Sequence, residues 1–521
     1  MLPLLYLLSL VGISYSLNGE RNVAFPESTN GQPFPWNQLR LPGSTIPIRY
    51  DLLIHPNLTS SVFTGTMKTE VTVTQETRAV VLHSKHLEIT KAFIEQENGK
   101  GQADIKQLQV LEYLPHEQVA FLTTEPLQVD KNCFLSINYI ANFSDGFCGA
   151  CFLCSSRLLA STHFEPTLAR MAFPCFDEPS LKANCTIKIR RKEQHIAISN
   201  MPKVKTLKLG SNLFEDHFAE TVKMSTYLMA FIISDFQSIS GTTSSGIVVS
   251  VYANPEKLTQ AYYALVAVKI LEFYEQYFGI SYPLPKQDLV AVPDFQSGAM
   301  ENWGLTTYRE TSLLYDPETS SASDKLWVTM VAGHELAHQV VHGLIMQYME
   351  FISVDAIYPE LQVNDYLLDT CFAAMGRDAM NLPRPISSRA ENPTQIKEMF
   401  DTLSYDKGAC ILHMLRNFLT EEVFWNGIIH YLKKHSYKNA KNKDLWDSLA
   451  NVICFVLHCS QYDYYLSEHF DVAKIMDTWT VQKGLPLIIV EQNWKRIKIR
   501  QEHFLKCIFP DDSQWSSMQM G

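Results

Sequence analysis

"VAGHELAHQVVHGLIMQYMEF", residues 331–351, decides how the rest of the chain is read. His334 and His338 stand four apart, so on a helix both imidazoles leave the same face. Glu335 follows the first of them, where a carboxylate can deprotonate a water held between the rings. A catalytic zinc takes three protein ligands and keeps one position open. The residues after His338 do not plainly supply the third. His342 lies one turn on, Glu350 twelve residues on, and Asp355 and Glu360 beyond that.

Outward from this stretch the hydrophobic period divides the chain. "SASDKLWVTMVAGHELAHQVVHGLIM" is helical, with Ser321, Ser323 and Asp324 as capping residues at its start. "PEKLTQAYYALVAVKILEFYEQYFGI" spaces apolar residues three and four apart, with Pro255 opening the helix. Further helical patterns run through 390–436. Before them, from 46 to 252, short alternating runs such as "IPIRYDLLIHP", "TGTMKTEVTVTQ", "CFLSINYIANF" and "GIVVSVYA" read as antiparallel strands. After 481, "LPLIIVEQ" and "KRIKIRQEHF" are strand-like again. The expected fold class is α+β and multidomain.

The 521 residues exceed what a single core normally organises. Lys and Arg total 44 against 55 Asp and Glu, a net charge of −11 that argues against nucleic acid as a partner. "MLPLLYLLSLVGISYS", residues 1–16, has the length of a signal h-region with a small-residue cleavage pattern at Ser14 and Ser16, or serves as an uncleaved anchor. Sequons at Asn57, Asn142 and Asn184 agree with entry into the secretory pathway. Eleven cysteines leave at least one unpaired within the chain, and "CGACFLC" (Cys148, Cys151, Cys154) reads as a Cys-rich loop, not half of a zinc knuckle.

Three more motifs lie around the HExxH: "FEPTLARMAFPCFDEP" at 164–179, "QSGAMENWG" at 296–304 and "FDTLSYDKGA" at 400–409. With GAMEN, HELAH and SYDKGA in this order, the chain resembles the gluzincin zinc aminopeptidases. Within them it is similar to the oxytocinase subfamily, which includes the endoplasmic reticulum aminopeptidases, over about residues 36–520. The resemblance implies an N-terminal antiparallel β-saddle domain (46–252), a thermolysin-like catalytic domain (253–480, with a deletion after 339) and a truncated β-sandwich (481–521). It implies that Glu301 and Glu165 bind the α-ammonium of a peptide with a free N-terminus. Gly298, Ala299 and Met300, followed by Glu301 and Asn302, would take the extended peptide as an added strand. Tyr405 would donate to the oxyanion of the tetrahedral intermediate, and His163 would shape the first side-chain pocket or be a surface residue. It also implies a disulfide between Cys371 and Cys410.

His334 and His338 are the expected zinc ligands. In the family, the third is a Glu about eighteen residues beyond the second His, in an "NEGFA"-like segment with no counterpart here. Glu350 matches a position two helical turns beyond that ligand, so it is expected to be a helix-surface carboxylate or, as the weaker alternative, a recruited third ligand. The implied function is zinc-dependent removal of N-terminal residues from peptides in the secretory pathway, in the endoplasmic reticulum lumen or membrane or outside the cell. Loss of the third-ligand segment would impair it. The alternative is a catalytically inactive relative that binds peptides or pairs with a full-length aminopeptidase. An endopeptidase is disfavoured because GAMEN closes the N-terminal end of the cleft. The shortened connection is also expected to uncover the apolar side of the HELAH helix.

Overall fold

The computed structural model describes residues 26–97, 103–143, 152–153, 159–340, 345–380, 384–456 and 471–506. The 1–16 segment and Cys148, Cys151 and Cys154 lie outside these, as does His342. No described helix is long and apolar enough to cross a membrane.

The N-terminal half is built on an eight-stranded sheet. Thr45–Asn57 and Val62–Val73 form its central antiparallel pair, and Asn132–Asn142, Glu88–Glu97 and Ala103–Gln107 extend one side. Alternation along Val62–Val73 places Phe63, Met67 and Val71 in the core at 1% exposure or less, as a one-face-buried strand requires. The antiparallel expectation needs one correction, because Asn184–Arg191 joins Thr45–Asn57 in parallel. These two strands lie more than a hundred residues apart, and the long connection leaves strand direction free.

A second difference concerns Val248–Ala253, expected among the N-terminal strands. It pairs in parallel with Lys286–Val292 and in antiparallel with Gln237–Thr242, within a separate five-stranded sheet. Local alternation marks a strand but says nothing of which sheet receives it. Leu305–Arg309 continues this sheet, and the two-residue strand Ala299–Met300 forms its edge.

Helices cover this sheet. Asn254 caps a 3-10 turn over Pro255–Leu265 that runs into α1 (Val266–Phe278). Ser321 and Asp324 cap α2 (Ala322–His338) reciprocally: Ser321 Oγ accepts from Asp324 N at 3.2 Å, and Asp324 Oδ2 accepts from Ser321 N at 2.7 Å. Then follow α3 (Ile345–Ile357), α4 (Val363–Asp378), α5 (Pro393–Glu398), α6 (Thr402–Leu419), α7 (Glu421–Lys434) and α8 (Asn442–Val456). Cys371 and Cys410 form the expected disulfide and tie α4 to α6. The final strands, Leu485–Asn493 and Arg496–Phe504, pair as a hairpin.

The expected uncovering of α2 is not found. Leu326, Val328, Ala332, Leu336 and Ala337 are buried, because α1 and α3 pack against the helix directly. Exposed apolar side chains are Trp327 on α2 and, more extensively, Leu368, Phe372 and Met375 on α4.

Candidate active site

The site forms where α2, α3 and α6 meet the GAMEN edge strand and the "HFEP" segment. Gly333 lets α3 approach α2. A Cβ there would stand 2.9 Å from Ser353 Oγ and 3.5 Å from Glu350 Cα. Tyr274 of α1 locks the crossing, its hydroxyl lying 2.9 Å from Gly333 O, 3.2 Å from Met349 O and 3.0 Å from Ser353 Oγ.

The consequence falls on Glu350, and the expectation of a surface carboxylate is corrected. It is not a helix-surface carboxylate: it is 5% exposed. Its oxygens are also already engaged. Oε2 accepts from His334 Nδ1 at 2.9 Å and Oε1 accepts from Gln347 Nε2 at 2.8 Å. Counting turns along one helix failed because α3 is a separate helix folded back on α2. Glu350 therefore reaches the outer nitrogen of His334 and fixes its tautomer, leaving Nε2 with the lone pair.

The two Nε2 atoms of His334 and His338 face each other at 3.1 Å. Nitrogens this far apart and both about 2.05 Å from one ion would subtend roughly 100° at it, compatible with zinc. The outer nitrogen of His338 lies 3.4 Å from Glu301 Oε1, so both rings have a carboxylate behind them. Glu335 is buried at 5% exposure, and its Oε2 has no hydrogen-bond partner among the described residues. Such an atom fits a site that receives a water or an ion. Among the described residues, no group of three or more His, Cys, Asp or Glu is arranged to hold a metal. The two imidazoles fit zinc as donors, and Asp355 and Glu360 are exposed on the outside of the fold.

The carboxylates crowd one another. Burial pushes the Glu335 carboxyl well above its ordinary value, and the charges of Glu301, Glu165 and Glu350 push it further. Glu165 is raised by burial and then by Glu301. Glu301 is raised by burial, with its own backbone N–H and His334 acting in the opposite direction. Tyr405 of α6 lies with its ring 6.4 Å from that of His334. Burial first, then Glu165, Glu301, Glu335 and Asp401, raise its phenol, so it stays protonated as a donor.

The backbone of the edge strand is held firmly. Ala299 and Met300 pair with Tyr308 and Thr307, and Gly298 O accepts from Arg309 N at 3.0 Å. Among the described residues, the other edge of this strand carries no partner strand. Gly304 has φ +82°, and a Cβ there would meet Asn200 O at 2.5 Å, so only glycine fits. Gln339, the residue after His338, was not anticipated. Its Nε2 donates to Glu301 O at 3.0 Å and its Oε1 accepts from Gly304 N at 3.0 Å, joining α2 to the GAMEN turn. Asn302 is fully buried and donates from Nδ2 to Thr307 Oγ1 at 3.3 Å. His163 stacks on Phe295 at 5.1 Å between ring centroids, and burial pushes its pKa down to about 4.

Of the three sequons, Asn57 and Asn142 are exposed. Asn184 is half-buried within a strand and donates from Nδ2 to Thr221 O at 2.8 Å, which occupies the nitrogen a glycan would need.

Comparison with known proteins matches residues 46–228 to the peptidase M1 N-terminal domain. The peptidase family M1 domain matches in two pieces, 262–346 and 343–479, which meet at the connection between α2 and α3. The chain is 52% identical to endoplasmic reticulum aminopeptidase 2 of Homo sapiens, over 95% of this chain and 55% of that protein. It is 51% identical to endoplasmic reticulum aminopeptidase 1 of Homo sapiens, over 96% and 56%. It is 35% identical to glutamyl aminopeptidase of Bitis rhinoceros, over 95% and 52%. The chain spans about half the length of these curated relatives.

Proposed function

Because the chain belongs to the M1 peptidase family, we propose that it captures peptides by their free amino terminus, and that its aminopeptidase chemistry is limited by a metal site with two protein donors. The observation that carries the first part is the Glu165–Glu301 pair. Glu301 is 7% exposed and Glu165 half-buried, and burial raises both carboxyls, Glu165 further through the charge of Glu301, so the pair forms a site that a cation relieves. An α-ammonium is such a cation; an internal peptide nitrogen is not. The edge of Ala299–Met300 that has no partner among the described residues would receive the peptide backbone as a further strand.

Zinc would be held by Nε2 of His334 and His338, and when bound it supplies Lewis acidity toward a peptide carbonyl. Glu335, with an oxygen that has no partner among the described residues, would take the proton of an attacking water once a bound cation offsets the carboxylates that raise it. Tyr405, still protonated, donates to the oxyanion that develops. His163, neutral and stacked on Phe295, makes a first side-chain pocket suited to apolar residues. The Cys371–Cys410 disulfide and the exposed sequons at Asn57 and Asn142 support a life in the secretory pathway. The two-piece match of the M1 domain supports the reading that material present in relatives is missing between α2 and α3.

The test is equilibrium binding of a fluorescent nonapeptide with Leu at its free N-terminus, compared with its N-acetylated twin. The free peptide is expected to bind about 100-fold more tightly, close to 3 kcal/mol for one desolvated ammonium held by two carboxylates. Equal affinity of the two peptides would refute N-terminal capture.

A further inference from the structure

A second cavity, of about 330 Å³, lies between the N-terminal domain and the helices α6 to α8. Its position is set by Pro179 and Lys182 on one side and by Trp446, His435 and Tyr437 on the other. The chain as a whole is acidic, with a net charge of −11. The described lining of this cavity nonetheless holds three lysines, Lys182, Lys438 and Lys441, and no Asp or Glu. Burial, and then the neighbouring Lys223, holds the Lys182 ammonium below its usual range.

Two hydrogen-bonding atoms point to what is missing. Trp446 is 2% exposed, and its indole Nε1–H finds no acceptor among the described residues. His435 Nε2 is likewise buried and unpartnered. Buried donors in native proteins are nearly always satisfied, and indole N–H is a donor only, so the missing group is an acceptor. The walls are aromatic, with Trp303 stacked on Tyr437 at 5.8 Å between ring centroids. A volume of this size matches small-molecule sites, which pair apolar walls with a few convergent polar groups.

We propose that this cavity binds a small organic anion, a carboxylate carried on an aromatic or aliphatic body, with the carboxylate facing Lys182 and the Trp446 Nε1–H and the apolar body lying against the stacked Trp303–Tyr437 pair. The lysines select the charge, the indole N–H orients it, and the aromatic walls bury the remainder. The site uses none of the groups that hold a peptide amino terminus, so it stands or falls separately from that reading.

The test is calorimetric titration of the whole chain with 4-phenylbutyrate and, in parallel, its uncharged amide. The acid is expected to saturate one site per chain and to bind at least tenfold more tightly than the amide. Lys182→Gln is expected to weaken the acid at least fivefold without changing the amide. Trp446→Phe, which keeps a ring and removes the N–H, should weaken the acid too. Should either variant lose its native melting transition, Lys438→Gln at an exposed position takes its place, with a weakening of about threefold. Equal binding of acid and amide, no binding of the acid at millimolar concentration, or unchanged affinity in both lysine variants would overturn the proposal.

Discussion

Glu301→Gln lowers the affinity for a peptide with a free N-terminus by about 100-fold and leaves the N-acetylated peptide unchanged. Glutamine keeps the shape, and the position is 7% exposed with its backbone fixed by Gln339, so the GAMEN turn persists. What disappears is the charge that balances the ammonium beside Glu165. A desolvated charge that loses its partner costs about 3 kcal/mol or more, which corresponds to roughly two orders of magnitude in Kd. The comparison is made by fluorescence anisotropy on both peptides. A uniform loss for both would show that the variant damages the cleft and not the recognition of the amine, and an unchanged free-peptide affinity would remove Glu301 from the account.

The largest expected effect on stability comes from Arg170→Met. Arg170 is 3% exposed; its Nε donates to Asp177 Oδ2 at 2.8 Å, and a terminal nitrogen lies 3.0 Å from Glu117 Oε2. Asp177 is also 3% exposed, with Thr226 Oγ1 donating to Oδ1 at 2.7 Å as its other side-chain partner. Methionine fills much of the space but leaves the Asp177 carboxylate buried without its cation, at a cost of about 3–5 kcal/mol. For a domain of this size that is on the order of a 10 °C fall in Tm. The double variant Arg170→Met/Asp177→Asn should recover part of the loss, since no charge then remains stranded. A fall of less than about 2 °C in the single variant would show that the pair is not a buried charge couple in solution.

Much of the site was legible because its parts carry local signatures. HELAH places two imidazoles one turn apart whatever surrounds it, and the capping pair Ser321 and Asp324 marks where that helix begins. The strands alternate plainly enough to be read one by one. What could not be read were relations across the chain. Val248–Ala253 looks like its N-terminal neighbours, yet its partner is Lys286–Val292, and no local period encodes that choice. Glu350 was misplaced for the same reason. Its role depends on Gly333 having no side chain and on Tyr274 bracing α3, facts that involve three helices. One signal was available: the glycine before His334 permits a close helix crossing, and a carboxylate on the crossing helix is then within reach of the imidazole. Gln339 had no signal of its own beyond its place after His338.

On the proposed reading, capture of an amino terminus by Glu165 and Glu301 needs no third zinc donor, although Glu301 also stands 3.4 Å behind His338. The most direct test is the zinc dissociation constant of the purified chain, obtained by competition with a chromophoric chelator at neutral pH. Two imidazoles, even with Glu350 fixing the tautomer of one, leave the remaining positions to solvent and forgo much of the chelate stabilisation. The account predicts a Kd in the micromolar range, about 8 kcal/mol of binding. One zinc per chain held at nanomolar affinity or tighter would contradict it, and would mean that a further protein donor completes the site.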